Sequence, residues 1–188
     1  MPILYLLAGP NGAGKSTYVS HLLDPTTKLP FVNADMIAAE RWPDAQAEHA
    51  GDASMAAADE RAELMANRSS FITETVFSHI SKLELVTEAV DLGYLVELHV
   101  ILVPVELAVN RVHERVKDGG HRVPEHKIRE RYERLWGYVA KARTKAHTTT
   151  FFDNSSAREP FRPAASYQNG LLIGTPSWPA WAPAELTA

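Results

Sequence analysis

The fold of this chain is decided by residues 8–17, which read AGPNGAGKST. Within them, residues 9–16 satisfy the pattern G-x-x-x-x-G-K-[ST] at every position. Gly9, Gly12 and Gly14 allow backbone turns that a Cβ atom would forbid, so that successive N–H groups converge on one anion. We therefore predict a loop that binds phosphate, with the positive end of the following helix adding to its charge.

The surroundings of this loop favour a nucleotide over a chance glycine-rich turn. An apolar run at residues 3–8 precedes the loop and a helical pattern at residues 15–23 follows it. Lys15 is predicted to reach the β- and γ-phosphates and Ser16 to ligate Mg²⁺. The predicted nucleotide-binding residues of the loop are Gly9, Asn11, Gly12, Ala13, Gly14, Lys15, Ser16 and Thr17.

Apolar runs and helical patterns alternate along the rest of the chain. The strands are predicted at residues 3–8, 30–34, 69–74, 94–103 and 148–154. The helices are predicted at residues 15–23, 36–41, 52–66, 79–92, 105–117 and 124–143. This alternation predicts a three-layer α/β fold, with about five mostly parallel strands flanked by helices in one domain over residues 1–188. Ligands of such folds bind at the carboxyl ends of the strands.

Residues 160–188 depart from this alternation. Asn169-Gly170, within YQNGLLIG, predicts a hairpin with a type I′ turn. The final stretch, TPSWPAWAPAELTA, is rich in proline and tryptophan, and we expect no regular structure there. Asn154, Ser155 and Arg158 follow the fifth strand and are predicted to lie near the base of the nucleotide.

Asp35 ends the second predicted strand, in the run FVNAD. A carboxylate beside the transferred phosphate can accept the proton of an attacking hydroxyl. The alternative is a helix cap, since ADMIAAE begins a helix and Asp favours that position. Both roles place Asp35 at the crevice, and residues 36–67 are then expected to shape the pocket of the acceptor.

Glu74 ends the third predicted strand, in the run FITET. It is placed to hold Mg²⁺ or its waters beside Ser16, or to bind hydroxyls of the substrate. Thr75 and Ser78 are further candidates for substrate binding. The alternative is a cap at the end of the strand, which would leave the carboxylate without compensation.

Residues 111–134 carry a cluster of arginines interrupted by Gly119-Gly120. Arg111 and Arg115 are four residues apart and share a helix face, and Arg122 follows the glycine pair. Phosphoryl transfer needs cations beside the developing charge, which a hinged lid supplies while it excludes water. The alternative is a solvated helix face with ion pairs, which accounts for some arginines but not for the glycine break.

Composition and charge narrow the kinds of partner, metal site and cellular location that the chain can have. The 188 residues carry a net charge of −4, with 19 basic and 23 acidic side chains, which argues against a nucleic-acid binder. The absence of cysteine excludes disulfides and thiolate metal sites. No apolar run approaches the length of a membrane helix, and the opening PILYLLAG is too short for a signal peptide. We therefore expect a cytoplasmic protein with no membrane or nucleic-acid partner.

Four segments carry a family resemblance: the phosphate loop, NAD at residues 33–35, TET at residues 73–75 and the arginine cluster at residues 111–132. Together they resemble the zeta-toxin family of P-loop kinases, specifically a branch of small bacterial zeta-like ATPases. The resemblance covers about residues 3–155. It implies a P-loop kinase fold with an arginine-rich lid. Toxins of this family use ATP and Mg²⁺ to phosphorylate a sugar hydroxyl of UDP-N-acetylglucosamine.

By this resemblance the residues take specific roles. Lys15 and Ser16 hold phosphate and metal, Asp35 is the base, and Glu74 matches the family's acidic residue at the end of strand three. Arg115 and Arg122 match its lid arginines. An antitoxin is the protein partner that the resemblance implies, although no antitoxin-like segment is visible in this chain.

The chain departs from the toxins after Glu74, where it reads Glu74-Thr75-Val76-Phe77-Ser78. The toxins carry a substrate-binding Thr where this chain has Val76, and an Arg where it has Ser78. The resemblance therefore supports kinase activity more strongly than it supports a particular sugar as the acceptor. An antibiotic or nucleoside kinase is one alternative, and a slowly hydrolysing nucleotide switch is another from a different class.

Overall fold

A computed structural model of the chain describes residues 1–117 and 123–187. Its strands form one sheet in the order β2-β3-β1-β4-β5-β6-β7. Strands β2, β3, β1, β4 and β5 run parallel, and β6 and β7 are antiparallel to their neighbours. The strand bounds are β1 Ile3–Ala8, β2 Phe31–Val32, β3 Phe71–Thr75, β4 Leu95–Leu102, β5 Thr148–Asp153, β6 Arg162–Gln168 and β7 Leu171–Ile173.

The helices connect the parallel strands, as the sequence predicts. The segment after the phosphate loop consists of α1, a π-helical stretch at Val19–Leu23, and α2. It therefore runs past residue 23, where the sequence-based helix ends. The helix bounds are α1 Lys15–Tyr18, α2 Asp24–Thr27, α3 Ala34–Arg41, α4 Ala50–Ala66, α5 Ile80–Asp91, α6 Val105–Lys117, α7 Glu125–Arg143 and α8 Ala184–Thr187.

Strand β1 lies at the centre of the parallel strands, between β3 and β4. Its last residue, Ala8, pairs in register with Thr75 of β3 and with Val100 of β4. Because the phosphate loop leaves β1 at this point, it occupies the middle of the carboxyl edge of the sheet. The predicted fold class is confirmed, and the ligand-binding edge of the sheet is the one that carries the loop.

Helices cover both faces of the sheet, so the apolar side chains of β1 alternate between two cores. Leu4 and Leu6 face the larger core, where α3, α4, α5 and α7 pack. Leu7 faces the smaller core, which contains Tyr18 of α1 and Ala108 of α6. Burial on both faces explains why β1 reads as a continuous apolar run rather than an alternating one.

The predicted hairpin is present and extends the sheet. Asn169 and Gly170 have φ values of 48° and 77°, which is the left-handed backbone that a type I′ turn requires. Because β6 pairs with β5, the hairpin joins the parallel sheet and adds two strands to the five predicted ones. Proline and polar residues in β6 hide this pairing from a search for apolar runs.

The expectation of no regular structure in the final stretch is wrong at Ala184–Thr187, where the short helix α8 forms. Its Leu186 is fully buried, and Arg143 of α7 donates from Nη1 to the Leu186 carbonyl oxygen at 2.8 Å. Trp178 and Trp181 also pack against the larger core. The proline-rich tail therefore adheres to the domain through these apolar contacts.

Candidate active site

The phosphate loop adopts a conformation that only glycine tolerates at critical positions. Gly12 and Gly14 have φ values of 76° and 94°. A Cβ atom on Gly12 would lie 2.6 Å from the Ala108 carbonyl oxygen of α6, and one on Gly14 would lie 2.7 Å from Asn154 Nδ2. The loop is therefore wedged between α6 and the end of β5, and its shape is fixed by close backbone packing.

Lys15 is buried beneath this loop. Its Nζ donates to the carbonyl oxygens of Gly9 and Pro10, each at 3.0 Å. Burial lowers the pKa of the ammonium group, and the charges of Glu74 and Asp35 oppose that shift. The two acceptors are backbone groups without net charge, so the ammonium charge is available to a phosphate bound in the loop.

Ser16 and Glu74 meet at the start of α1. The Ser16 hydroxyl lies 3.0 Å and 2.9 Å from the two carboxylate oxygens of Glu74, which sits on β3 beside Leu7 of β1. Burial raises the pKa of Glu74, while the charge of Lys15 and the Ser16 hydrogen bond lower it. The site thus holds a partly desolvated carboxylate next to a hydroxyl oxygen.

These two oxygen donors fit Mg²⁺, which binds through one or two protein oxygens, waters and substrate phosphates rather than through an all-protein cage. In keeping with that mode, no group of three or more His, Asp or Glu side chains that could hold a metal occurs in residues 1–117 and 123–187. Ser16 and Glu74 are the residues that would hold the ion.

Asp35 lies in the first turn of α3, one residue after the helix begins at Ala34. The cap of this helix is Asn33, whose Oδ1 accepts from the N–H of Asp35 at 2.7 Å and of Met36 at 3.3 Å. The capping role that the sequence offered for Asp35 therefore belongs to Asn33. The Asp35 carboxylate lines the same cleft of about 430 Å³ as Lys15 and Glu74.

Both described arginines predicted for the lid line this cleft from α6. Arg111 donates from Nη2 to the carbonyl oxygen of Asn154 at 3.0 Å. The charge of Arg115 adds to the lowering of the Lys15 pKa and partly opposes the raising of the Glu74 pKa. Its guanidinium therefore lies within electrostatic reach of both side chains. Arg122 lies outside the described residues, together with Gly119-Gly120 and His121.

One arginine of the cluster fits the alternative of an ion-paired helix face. Arg129 of α7 contacts Glu106 at 2.7 Å and Glu125 at 2.8 Å. These carboxylates occupy its guanidinium, so its charge is already balanced within the protein.

The structure does not bring Thr75 and Ser78 to the described lining of the cleft. Thr75 Oγ1 accepts from the Phe77 N–H at 3.1 Å and so stabilises the turn after β3. Phe77 is fully buried with a φ of 65°, and Val76 packs against the larger core. Substrate binding by Thr75 and Ser78 stays a prediction.

Asn154 connects three parts of the site. Its Nδ2 donates to the Ala13 carbonyl oxygen at 2.8 Å, its Oδ1 accepts from the Phe161 N–H at 3.4 Å, and its own carbonyl accepts from Arg111. The sequence placed Asn154 near the nucleotide base but gave no sign of this bracing role.

Pro160 and Phe161 also line the cleft and were missed. The Phe161 ring packs edge-on against Tyr18 of α1, with ring centroids 5.2 Å apart. Loop residues lack a period, so the only available signal was an aromatic side chain directly after a proline in the connection that follows β5.

The sequence matches the family model for zeta toxin over residues 1–161. The chain belongs to the zeta toxin family. The match covers all parallel strands, the phosphate loop, Arg111 and Arg115, and it ends just before the β6–β7 hairpin and the tail. The family resemblance inferred from the motifs is thus confirmed. None of the curated proteins compared matches the chain.

Solved structures support the same fold for this zeta toxin family member. A chain of the AvrRxo1-ORF1:AvrRxo1-ORF2 crystal structure with ATP is similar with a TM-score of 0.65 and 18% identity, over 92% of this chain and 60% of that one. This chain therefore spans less than two thirds of the length of that relative. A structure of the PezAT chromosomal toxin-antitoxin system of Streptococcus pneumoniae gives a TM-score of 0.59 and 13% identity, over 87% and 72%.

Shikimate kinase from Acinetobacter baumannii, solved with shikimate, is similar with a TM-score of 0.55 and 18% identity, over 86% of this chain and 88% of that one. These likenesses place the domain among P-loop kinase folds. Among the helices that the structure describes, none combines the length and apolar character needed to span a bilayer.

Proposed function

We propose that this chain is an ATP-dependent kinase that transfers the γ-phosphate to a hydroxyl group of a small molecule. The observation that carries the proposal is the meeting of Asp35, Lys15 and Glu74 in one cleft at the carboxyl edge of the sheet. A module that only binds nucleotide does not need a carboxylate on α3 opposite the phosphate loop. Membership of the zeta toxin family supports the same reaction class.

The side chains divide the reaction between them. The proposed role of Asp35 is to accept the proton of the acceptor hydroxyl as that oxygen attacks the γ-phosphorus and the bond to the β-phosphate oxygen breaks. Lys15 and Arg115 stabilise the negative charge on the transferring group. Arg111 and Asn154 brace the loop, because they tie α6, Ala13 and the end of β5 together.

Mg²⁺, when bound, would neutralise charge on the phosphates. Ser16 and Glu74 would hold it, as their adjacent oxygen atoms allow. The raised pKa of Glu74 reflects the cost of burying its ionised form, which a divalent cation would offset.

UDP-N-acetylglucosamine is the first acceptor to test, on family grounds. Antibiotics and nucleosides are the next, because Val76 packs into the core and offers no hydroxyl where the toxins carry a threonine. A protein partner is also proposed on family grounds, since PezAT is a toxin-antitoxin system and AvrRxo1-ORF1 was crystallised with AvrRxo1-ORF2.

The substitution Asp35→Asn tests the proposed base. Transfer to the acceptor should fall about 100- to 10,000-fold while ATP affinity stays within a few-fold of the wild-type value. Transfer is measured with labelled ATP and a panel of hydroxyl compounds, and affinity by calorimetry. Glu40→Gln is the matched control, because Glu40 is an exposed acid on the same helix. Near-normal transfer by Asp35→Asn would remove Asp35 as the base.

A further inference from the structure

A buried arginine on the acceptor side of the molecule has no counter-charge in contact with it. Arg61 lies on the inward face of α4, in line with Ala57 and Met65, and is only 8% exposed. Within residues 1–117 and 123–187 its guanidinium makes no hydrogen bond or ion pair. Burial lowers its pKa, and the charge of the exposed neighbour Glu60 only partly opposes this.

A second cation lies close to Arg61. Lys82 is in the first turn of α5 and is half-buried. Burial lowers the pKa of its ammonium group, and the charge of Arg61 lowers it further. The two cations, one on α4 and one on α5, therefore lie within electrostatic reach of each other.

Neither cation is among the residues that line the cleft, but the helices that carry them belong to the same layer as the helix that carries Asp35. Helices α3, α4 and α5 pack on the same face of the sheet and share one core. Helix α3 carries Asp35 in its first turn, and α5 follows the strand that carries Glu74. Arg61 thus lies within residues 36–67, which the sequence predicts to shape the pocket of the acceptor, and Lys82 lies on the helix that follows β3.

This arrangement is unfavourable for the protein without a ligand. A cation that is largely buried without a hydrogen-bonded partner loses much of its hydration, and the attraction of Glu60 offsets only part of that loss. Two nearby like charges repel, and a lysine in the first turn of a helix also faces the positive end of the helix dipole. All three contributions act in the same direction, and an anion placed between α4 and α5 would relieve each of them.

We propose that Arg61 and Lys82 form a binding site for an anionic group, a phosphate or a carboxylate, carried by the hydroxyl acceptor. Arg61 offers a planar fork of donors that suits either anion, and Lys82 adds a mobile point charge. The anion site stands on the geometry of this chain, while its assignment to the acceptor rests on the proposed kinase function.

The experiment measures binding of inorganic phosphate and pyrophosphate by calorimetry in a Lys15→Ala background, which weakens the phosphate loop. Adding Arg61→Gln to this background should reduce the affinity for either anion by about 10- to 100-fold, and adding Lys82→Gln by a smaller factor. Arg41→Gln is the matched control, because Arg41 is exposed at the end of the neighbouring helix α3. It should leave the affinity unchanged.

Unchanged anion affinity in both the Arg61→Gln and Lys82→Gln variants would overturn the proposal, and so would an equal loss in Arg41→Gln. Neither result depends on catalysis. If the chain binds pyrophosphate through Arg61 but transfers no phosphate, the proposal of an anion site stands and the proposal of kinase function fails. In an active enzyme, Arg61→Gln should raise KM for a phosphorylated or carboxylated acceptor and leave KM for ATP unchanged.

Thermal stability separates this role from a structural one. Without added anion, Arg61→Met should be as stable as the wild type or more stable, because it removes an unpaired buried charge. With saturating pyrophosphate, the wild type should gain more in Tm than Arg61→Met. A Tm loss in Arg61→Met that pyrophosphate does not alter would show that Arg61 serves packing and would overturn the proposal.

Discussion

The side of the cleft that carries the phosphate loop, called the nucleotide side, and the side proposed for the acceptor, called the acceptor side, are built in different ways. The nucleotide side consists mainly of backbone, held by close contacts of Gly12 and Gly14 and by the side chain of Asn154. The acceptor side consists of helices that carry single charged side chains, of which Asp35 is exposed to the cleft and Arg61 is buried in an otherwise apolar layer. Close packing therefore limits the substitutions that the nucleotide side tolerates, whereas the chemistry of the acceptor side depends on single side chains.

This difference indicates where specificity can change without loss of the fold. A substitution in the loop must satisfy a backbone conformation as well as a ligand, whereas a substitution of a single charged side chain such as Lys82 mainly changes the charge of the layer proposed for the acceptor. Reaction class should therefore follow the loop, and acceptor identity should follow the helices.

Replacing Lys15 should break the nucleotide side most severely. Lys15→Ala removes the cation that lies beneath the described part of the loop. We expect transfer to fall about 100- to 1,000-fold, and most of the affinity for the triphosphate to be lost as well. Labelled-ATP transfer and calorimetric binding are the measurements. Lys141→Ala, at an exposed site of α7, is the control. Retained triphosphate affinity in Lys15→Ala would contradict a phosphate-binding loop.

Replacing Gly14 tests whether the backbone itself carries the nucleotide side. Gly14→Ala places a Cβ at a φ of 94° and 2.7 Å from Asn154 Nδ2, so we expect a strain of about 1–3 kcal/mol and at least a ~10-fold weaker ATP complex. Gly51→Ala is the matched control, because Gly51 is helical with nothing within 4 Å of the added Cβ. It should stabilise the protein by about 0.5–1 kcal/mol. ATP binding that survives Gly14→Ala would mean that the loop can relax.

Glu74 lies on the border between the two sides. The pKa of Glu74 is raised in the folded chain, mainly by burial, so folding favours the protonated carboxyl group. The resulting contribution to stability is complete below pH 4.5 and is lost as pH rises through the folded pKa. Glu74→Gln, which mimics the protonated acid, should therefore raise Tm at pH 7 by about 2–4 °C, and the gain should shrink toward pH 4.5. Transfer should fall because the metal loses a carboxylate.

Calorimetry at several pH values measures this gain. Glu88→Gln, an exposed acid on α5, serves as the control. A lower Tm for Glu74→Gln at pH 7 would show that the ionised carboxylate stabilises the free protein.

At neutral pH, the smallest expected effect on stability lies under the nucleotide side. His99 of β4 packs against Tyr5, Tyr18 and Phe152, and its Nδ1 is buried with no partner among the described residues. Burial lowers its pKa to about 4. The stability it contributes is present above pH 6.5 and is lost as pH falls through the folded pKa, by up to about 1.4 kcal/mol per pH unit.

The variant His99→Phe keeps an aromatic ring and removes this titration. Its stability relative to the wild type should rise as pH falls from 6.5 toward 4, as followed by urea unfolding. Parallel pH profiles for the two proteins would show that folding does not lower the pKa of His99.

The sequence predicts the nucleotide side well and the acceptor side poorly, for a physical reason. A phosphate loop must have glycines at fixed spacing between a strand and a helix, so its pattern is visible in residues 9–16 alone. The bracing by Asn154 and the burial of Arg61 depend on contacts between distant segments. No local period records such contacts, and Arg61 reads in the sequence as one more charge on a helix.

The fate of the labelled γ-phosphate tests the central claim most directly. We predict that, with a suitable hydroxyl acceptor present, the label appears on an organic phosphate ester, and that Asp35→Asn abolishes this product without abolishing ATP binding. Label that is released only as inorganic phosphate, at the same rate in the wild type and in Asp35→Asn, would contradict the kinase and favour a nucleotide switch.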